Sequence, residues 1–201
     1  MGNSFMASYM ASDIFYEMID NREILESQYE VLRGRWPEKY NEMIVVLSDP
    51  SQITDYMAYT LGLKDPSDLQ KMIQQVMSGQ EPDGEESNAL EWTYDDLMAL
   101  EFTLVPAHMR YRYNEEYKVW EDMTSDQEYM KMILAEGEPV YIVGIVCPKD
   151  GVSATTMSMG VAYTSELTRR VIDAAQKAPI VKNQLADMNK DVFTGKDFAD
   201  P

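Results

Sequence analysis

The longest apolar stretch in this 201-residue chain lies between Pro139 and Pro148 and reads Val-Tyr-Ile-Val-Gly-Ile-Val-Cys. It is less than half of the roughly 20 apolar residues a membrane-spanning helix needs. Most of its residues are β-branched, stiff at the first side-chain torsion and suited to a pleated surface. A short continuous apolar run of this kind predicts a central strand at 140–146, covered on both faces. Gly144 inside it predicts a close backbone approach, since a side chain there would be in the way. The rest of the chain must therefore supply neighbouring strands and helices to cover this one.

It contains candidates for both. Residues 29–35 read as a strand entering a turn at Trp36-Pro37, and residues 43–47 as a second strand. Residues 13–19 carry Ile14, Phe15, Met18 and Ile19 and read as a short helical face. Asp49-Pro50 and Asp65-Pro66 are helix starts, with Gly62 as a C-terminal cap between them. Thr93 with Asp96, and Ser125 with Glu128, have the spacing of capping boxes, the second opening a helix at 125–135. Residues 101–105 and 160–163 read as strands. A helix from Thr164 turns Leu167, Val171, Ile172 and Ala175 inward, and a last helix after Pro179 carries Val181, Leu185 and Met188. The tail at 191–201 is polar and is expected to lack structure. Strands and helices are mixed without strict alternation, which predicts an α+β fold: a mixed sheet with packed helices, in one or two lobes. A tentative inserted lobe spans 89–137, and 78–88 reads as a flexible acidic loop rather than a calcium loop, whose alternating ligands it lacks.

Thirty-five acidic residues against 17 basic ones, a net charge of -18, argue against nucleic acid as a partner, because phosphate recognition needs a basic face. One cysteine, Cys147, and one histidine, His108, leave little room for nucleophilic or metal chemistry. There is no glycine-rich phosphate loop and no nucleophile elbow. No catalytic residue, metal site or cofactor is expected. The adjacent Asp95-Asp96 pair is read as helix capping, since neighbouring helix positions do not face one another.

One segment is a candidate contact surface. Residues 109–113 and 117–121 read as a hairpin, and Tyr111, Tyr113, Tyr117 and Trp120 concentrate aromatic area on it. Aromatic pairs stabilise a hairpin across its strands, and they are also enriched at protein interfaces. Both uses are open for these four residues.

Several segments in order resemble the large extracytoplasmic domain of FtsX-like (MacB-type) ABC-transporter permeases of Gram-positive type. They are Gly34-Arg35-Trp36-Pro37 with Asn41-Glu42-Met43-Ile44-Val45-Val46-Leu47, then Leu61-Gly62-Leu63, then Tyr141-Ile142-Val143-Gly144-Ile145-Val146, then Gly160-Val161-Ala162-Tyr163-Thr164, and last Val192-Phe193-Thr194-Gly195-Lys196. Asn41 is expected to satisfy the turn after Pro37. The resemblance implies a MacB-like periplasmic-core fold and a single exported domain, 1–201, separated from its flanking transmembrane helices. It implies a location on the extracellular face of the cell membrane and no catalysis by the domain itself. The implied partners are a cytoplasmic ABC ATPase subunit, reached through the membrane part, and an extracellular protein, peptide or lipid-linked cargo. A stand-alone binding protein and a carboxylate-based extracellular hydrolase are the alternatives.

Overall fold

The computed structural model describes residues 14–50, 57, 58, 61–63, 74, 78, 93–152 and 154–199. The chain divides into two compact units: Met1–Leu100 with Tyr141–Ser165, and Glu101–Val140 with Glu166–Pro201. The second unit shares residues 101–137 with the expected inserted lobe, leaves 89–100 to the first unit, and adds 138–140 and the C-terminal 36 residues.

The first unit is built on a mixed sheet. Its strands are β1 (Phe15–Glu17), β2 (Tyr29–Gly34), β3 (Glu42–Val46), β7 (Glu138–Pro148, in this unit from Tyr141 on) and β8 (Gly160–Tyr163). They lie in the order β1-β8-β3-β7-β2. β1 is parallel to β8 and β3 to β7, while the β8–β3 and β7–β2 pairs are antiparallel. The centre is β3 and β7. Every residue of β3 is buried, and so are Gly144 to Cys147 of β7. Two-sided cover thus holds for the second half of the apolar run only, since Tyr141 at its start is exposed. Tyr29, Trp36, Ile44, Val46 and Val146 form the core with Met18, Leu25, Met157 and Ala162.

Two local predictions are corrected here. The segment read as a helical face at 13–19 is strand β1. Its backbone is engaged by β8: the Val161 amide donates to the Ile14 carbonyl at 2.7 Å and the Met18 amide to that of Tyr163 at 2.9 Å. Ile14 and Met18 are buried while Phe15 and Ile19 stay exposed, so the apolar set does not form one helical stripe. Pairing with a distant strand overrode a weak local pattern. A helix the sequence reading missed, α1 (Arg22–Gln28), follows directly, capped by Asn21, whose side chain accepts from the Ile24 amide.

The capping box at Thr93 is present and opens α2 (Tyr94–Met98). Asp96 accepts from the Thr93 amide and hydroxyl, at 2.9 and 2.6 Å, and those bonds hold its carboxyl below the usual range. Asp95 pairs with Arg33 at 2.7 Å. Gly62 has φ +76, and the Leu63 amide donates to the Ala58 carbonyl, the closure of a glycine-capped helix end. The remaining parts of the expected helices after Asp49 and Asp65, and all of the acidic loop 78–88 except Ser78, lie outside the described residues.

Tyr29 fastens the loop before β8. Its buried hydroxyl donates to the Met157 carbonyl and accepts from the Met157 amide, both at 2.7 Å. Tyr29→Phe would leave a buried amide and carbonyl without partners, so a loss of about 1–3 kcal/mol in urea unfolding is expected. Tyr117→Phe, at an exposed hydroxyl, serves as the control and should change stability by less than about 0.5 kcal/mol.

The second unit holds β4 (Glu101–Leu104), a 3-10 turn (Ala107–Arg110), β5 (Tyr111–Asn114), β6 (Val119–Asp122), α3 (Gln127–Glu136), the start of β7, most of α4 (Ser165–Lys177) and α5 (Pro179–Ala186). β4 pairs with β7, and β5 with β6. The cap of α3 is Asp126 rather than Ser125; its carboxylate accepts from the amides of Glu128 and Tyr129. Arg170 on α4 grips Glu138 through two bonds of 2.9 and 2.7 Å. Of the residues expected inward on α4, Leu167 is buried, Val171 and Ala175 are half-buried, and Ile172 is exposed. On the last helix Val181 is half-buried and Leu185 is exposed; Met188, also exposed, lies beyond its end. A 3.6-residue repeat marks a stripe on a helix but not how wide a surface is there to cover it.

Candidate partner-contact site

The predicted hairpin exists, with shorter strands than expected. Met109 and Arg110 belong to the 3-10 turn, and Tyr117 lies in the connection between the strands. Asn114 shapes that connection: its side-chain oxygen accepts from the amides of Glu116 and Tyr117, at 2.9 and 3.0 Å. Lys118 closes it with φ 57, its amide bonded to the Asn114 carbonyl at 2.8 Å. The register sets Tyr113 directly opposite Trp120, and their rings pack at 5.3 Å with a 56° tilt. Tyr111, two residues along on the same face, packs on Phe193 at 5.2 Å. Three of the four aromatic residues singled out from the sequence are thus half-buried in contacts within the unit, and Tyr117 is 69% exposed.

Phe193 belongs to a segment expected to be unstructured, and that expectation is corrected. Residues 187–198 fold into a knot of turns closed by a bridge between Lys190 and Asp197. Asp191 is its centre. Its carboxylate accepts from the Phe193 amide and the Thr194 hydroxyl, and those bonds hold its carboxyl below the usual range. The Asp191 amide bonds to the Lys196 carbonyl and its carbonyl accepts from the Gly195 amide, both at 2.8 Å. Gln184 on α5 ties the knot to the helix, donating to the Lys190 carbonyl at 2.7 Å and accepting from the Val192 amide at 3.3 Å. The Trp120 amide donates to the Val192 carbonyl at 2.8 Å, so the knot also extends the hairpin edge. A polar tail hides this because the partners are side chain to backbone and leave no hydrophobic period. The readable signal is Asp191 followed by Thr194-Gly195, which is turn chemistry.

Hairpin, knot and α5 line an open surface cavity of about 140 Å³. Tyr113, Trp120 and Val192 supply apolar wall; Lys118, Lys190 and Asn183 supply donors. Asp191→Ala should raise amide hydrogen exchange at Phe193 and Gly195 at least about tenfold, because the turn loses both side-chain acceptors at once. Unchanged exchange there would mean the backbone bonds alone hold the knot.

Of the other residues with possible chemistry, Cys147 is engaged structurally, while His108 keeps a buried Nδ1 without a hydrogen-bond partner. The Cys147 thiol is buried against Glu30, 3.4 Å from its carboxylate. Burial first, then that bond, push it up to about 11, so it is a thiol and not a nucleophilic thiolate at neutral pH. Among the described residues no group of three or more His, Cys, Asp and Glu is placed to hold a metal ion. Among the same residues no helix is long and apolar enough to cross a membrane. In comparisons with family models, curated proteins and solved structures, nothing matches this chain.

Proposed function

We propose that this chain is the non-catalytic extracytoplasmic domain of an FtsX-like ABC-transporter permease. It contacts cargo or a partner protein through the second unit and relays conformational change driven by a cytoplasmic ATPase. The observation that supports the reading best is the physical role of the residues that carry the resemblance. Gly34, Arg35, Trp36, Glu42 and Gly144 form one connected structural feature of the first unit, in which two glycines meet across β2 and β7 and an ion pair locks the turn between β2 and β3. Residues spaced along the chain serve one architectural purpose, which is what a shared fold requires and what a shared reaction does not. The engaged states of Cys147, Asp95 and Asp96 support a binding role over catalysis.

The test is to express the full native reading frame with a C-terminal tag and fractionate the cells. The expected result is a product in the membrane fraction, protease-accessible from outside at residues 111–122, that co-purifies with an ABC ATPase. A full-length product in the soluble fraction would overturn the proposal and favour a stand-alone binding protein.

A further inference from the structure

β7 ends at Pro148, and the chain leaves it through a turn at Lys149-Asp150-Gly151-Val152. The Val152 amide donates to the Lys149 carbonyl at 3.2 Å and Gly151 has φ +82, the signs of a type II turn with its glycine in the left-handed position. Lys149 is anchored: its amide donates to the Gln28 carbonyl at 2.8 Å and its ammonium to the Glu26 carbonyl at 2.6 Å. Beyond it, Asp150 and Gly151 are both exposed. Among the described residues, neither the Asp150 carboxylate nor the Gly151 amide has a hydrogen-bond or ion-pair partner. A Cβ built on Gly151 meets nothing within 4 Å, so neighbouring segments leave the turn room to move. Other aspartates differ. Asp96, Asp122, Asp126, Asp187 and Asp191 spend a carboxylate oxygen on nearby amides, and Asp95 is paired with Arg33. Each of them is followed by a residue that carries a side chain.

We propose that Asp150-Gly151 is a self-modification site, at which the backbone rearranges through a cyclic imide to isoaspartate with water as the only co-reactant. The Gly151 nitrogen attacks Cγ of the protonated Asp150 carboxyl. An N–Cγ bond forms, and the amide proton leaves with the carboxyl hydroxyl as water. Water then adds to one of the two imide carbonyls. Cleavage at Cγ restores aspartate. Cleavage at the former backbone carbonyl leaves the chain running through Cγ, with the old backbone carbon as the free carboxylate. One water is lost and one regained, no electrons are transferred, and the net charge is unchanged. The backbone gains one methylene in the turn between β7 and β8. Three features of the turn favour the first step. Nucleophile and carboxyl are unengaged, so neither must first break a bond within the protein. Glycine puts no Cβ beside the attacking nitrogen and tolerates the peptide rotation that brings it toward Cγ. A single bond closes the turn, so it opens locally at little cost in free energy. Asp83-Gly84, the other such pair, lies outside the described residues.

The test is to age the folded full chain at mildly acidic pH beside a synthetic peptide of residues 145–155. Isoaspartate is mapped by electron-transfer fragmentation, and by methyl transfer from S-adenosylmethionine with an L-isoaspartyl O-methyltransferase. Isoaspartate is expected at position 150 of the folded chain, within a few-fold of the peptide's rate and preceded by a species one water lighter. The engaged aspartates should stay unmodified. Asp150→Asn should react faster through the same imide, releasing ammonia in place of water. Gly151→Ala should slow the reaction several-fold. Asp150→Glu, which would need a six-membered ring, should remove methyl acceptance at this site and leave the urea midpoint unchanged. A folded chain unmodified at Asp150 while the peptide reacts would overturn the proposal, because the turn would then protect the pair. So would isoaspartate forming as fast at the engaged aspartates, or an unchanged rate in Gly151→Ala.

Discussion

Gly144→Ala is expected to destabilise the protein by about 3 kcal/mol or more. Gly144 stands opposite Gly34 in the β2–β7 register, and the Arg35 amide bonds to the Val143 carbonyl at 2.9 Å immediately beside the pair. A Cβ built on Gly144 would come closer than 3.0 Å to the Arg35 carbonyl oxygen and carbon. Those atoms are backbone, so no rotamer change relieves the clash, and the strand pair must separate in the centre of the sheet. Gly34 has the reciprocal constraint: its Cβ would meet the Val143 carbonyl, and its φ of +73 is one that side chains disfavour. Urea unfolding followed by circular dichroism measures the effect. A loss below about 1 kcal/mol for Gly144→Ala would show that β2 can move away from β7 at little expense, against the close approach described here.

Arg35→Ala should lower stability at neutral pH, because it leaves the buried Glu42 carboxylate without its partner ion, although water reaches Arg35 and weakens the pair. The Glu42 side chain is 7% exposed while that of Arg35 is 46% exposed. Two bonds of 2.8 and 2.7 Å join them, and the Glu42 carboxylate also accepts from the amides of Glu38 and Lys39. The Arg35 bond above all, with the Glu38 amide and the Arg35 charge, lowers the Glu42 carboxyl to about 2 against the opposing effect of burial. An unfolded glutamate titrates near about 4.3. Because the folded value is the lower one, the unfolded chain binds the proton first as pH falls. The stability from this group is complete above the unfolded value and is lost progressively between about pH 5 and about pH 2. Glu42→Gln should therefore be less stable than the native chain at pH 7, with a difference that shrinks as pH drops through that window. A difference that grows on acidification would contradict the ion-pair account.

The motif around Trp36 shows how much of this was legible. Its glycines, proline and following β-branched run are visible as strand, turn and strand because each signal is local. That Gly144 needs a close approach was also readable, since a glycine within a β-branched run has few other uses. The residue on the other side of that approach was not readable, because Arg35 lies 109 positions away. Asn41 was the expected satisfier of the turn; the Glu42 carboxylate, one position on, accepts from the amides of Glu38 and Lys39, a role the sequence reading did not assign to it. A glutamate at the head of a buried strand looks like a solvated charge until its arginine is in place. The candidate site divides in the same way. The aromatic hairpin could be read from alternation and turn residues, while the knot at 187–198 that packs against it could not.

By itself, the sequence determined the elements whose cause lies within a few residues: the apolar strand, the capped helix at Thr93, the hairpin, the glycine-capped end at Gly62 and the α+β class. Only the tertiary structure decided that 15–17 is a strand, that Ile172 and Leu185 remain exposed, and that Lys118 and Lys190 share one cavity. The physical reason is range. Capping, turn and periodicity energies act between neighbours in the chain, whereas strand pairing, burial and charge placement depend on which distant segment is adjacent, and that is set by the fold as a whole.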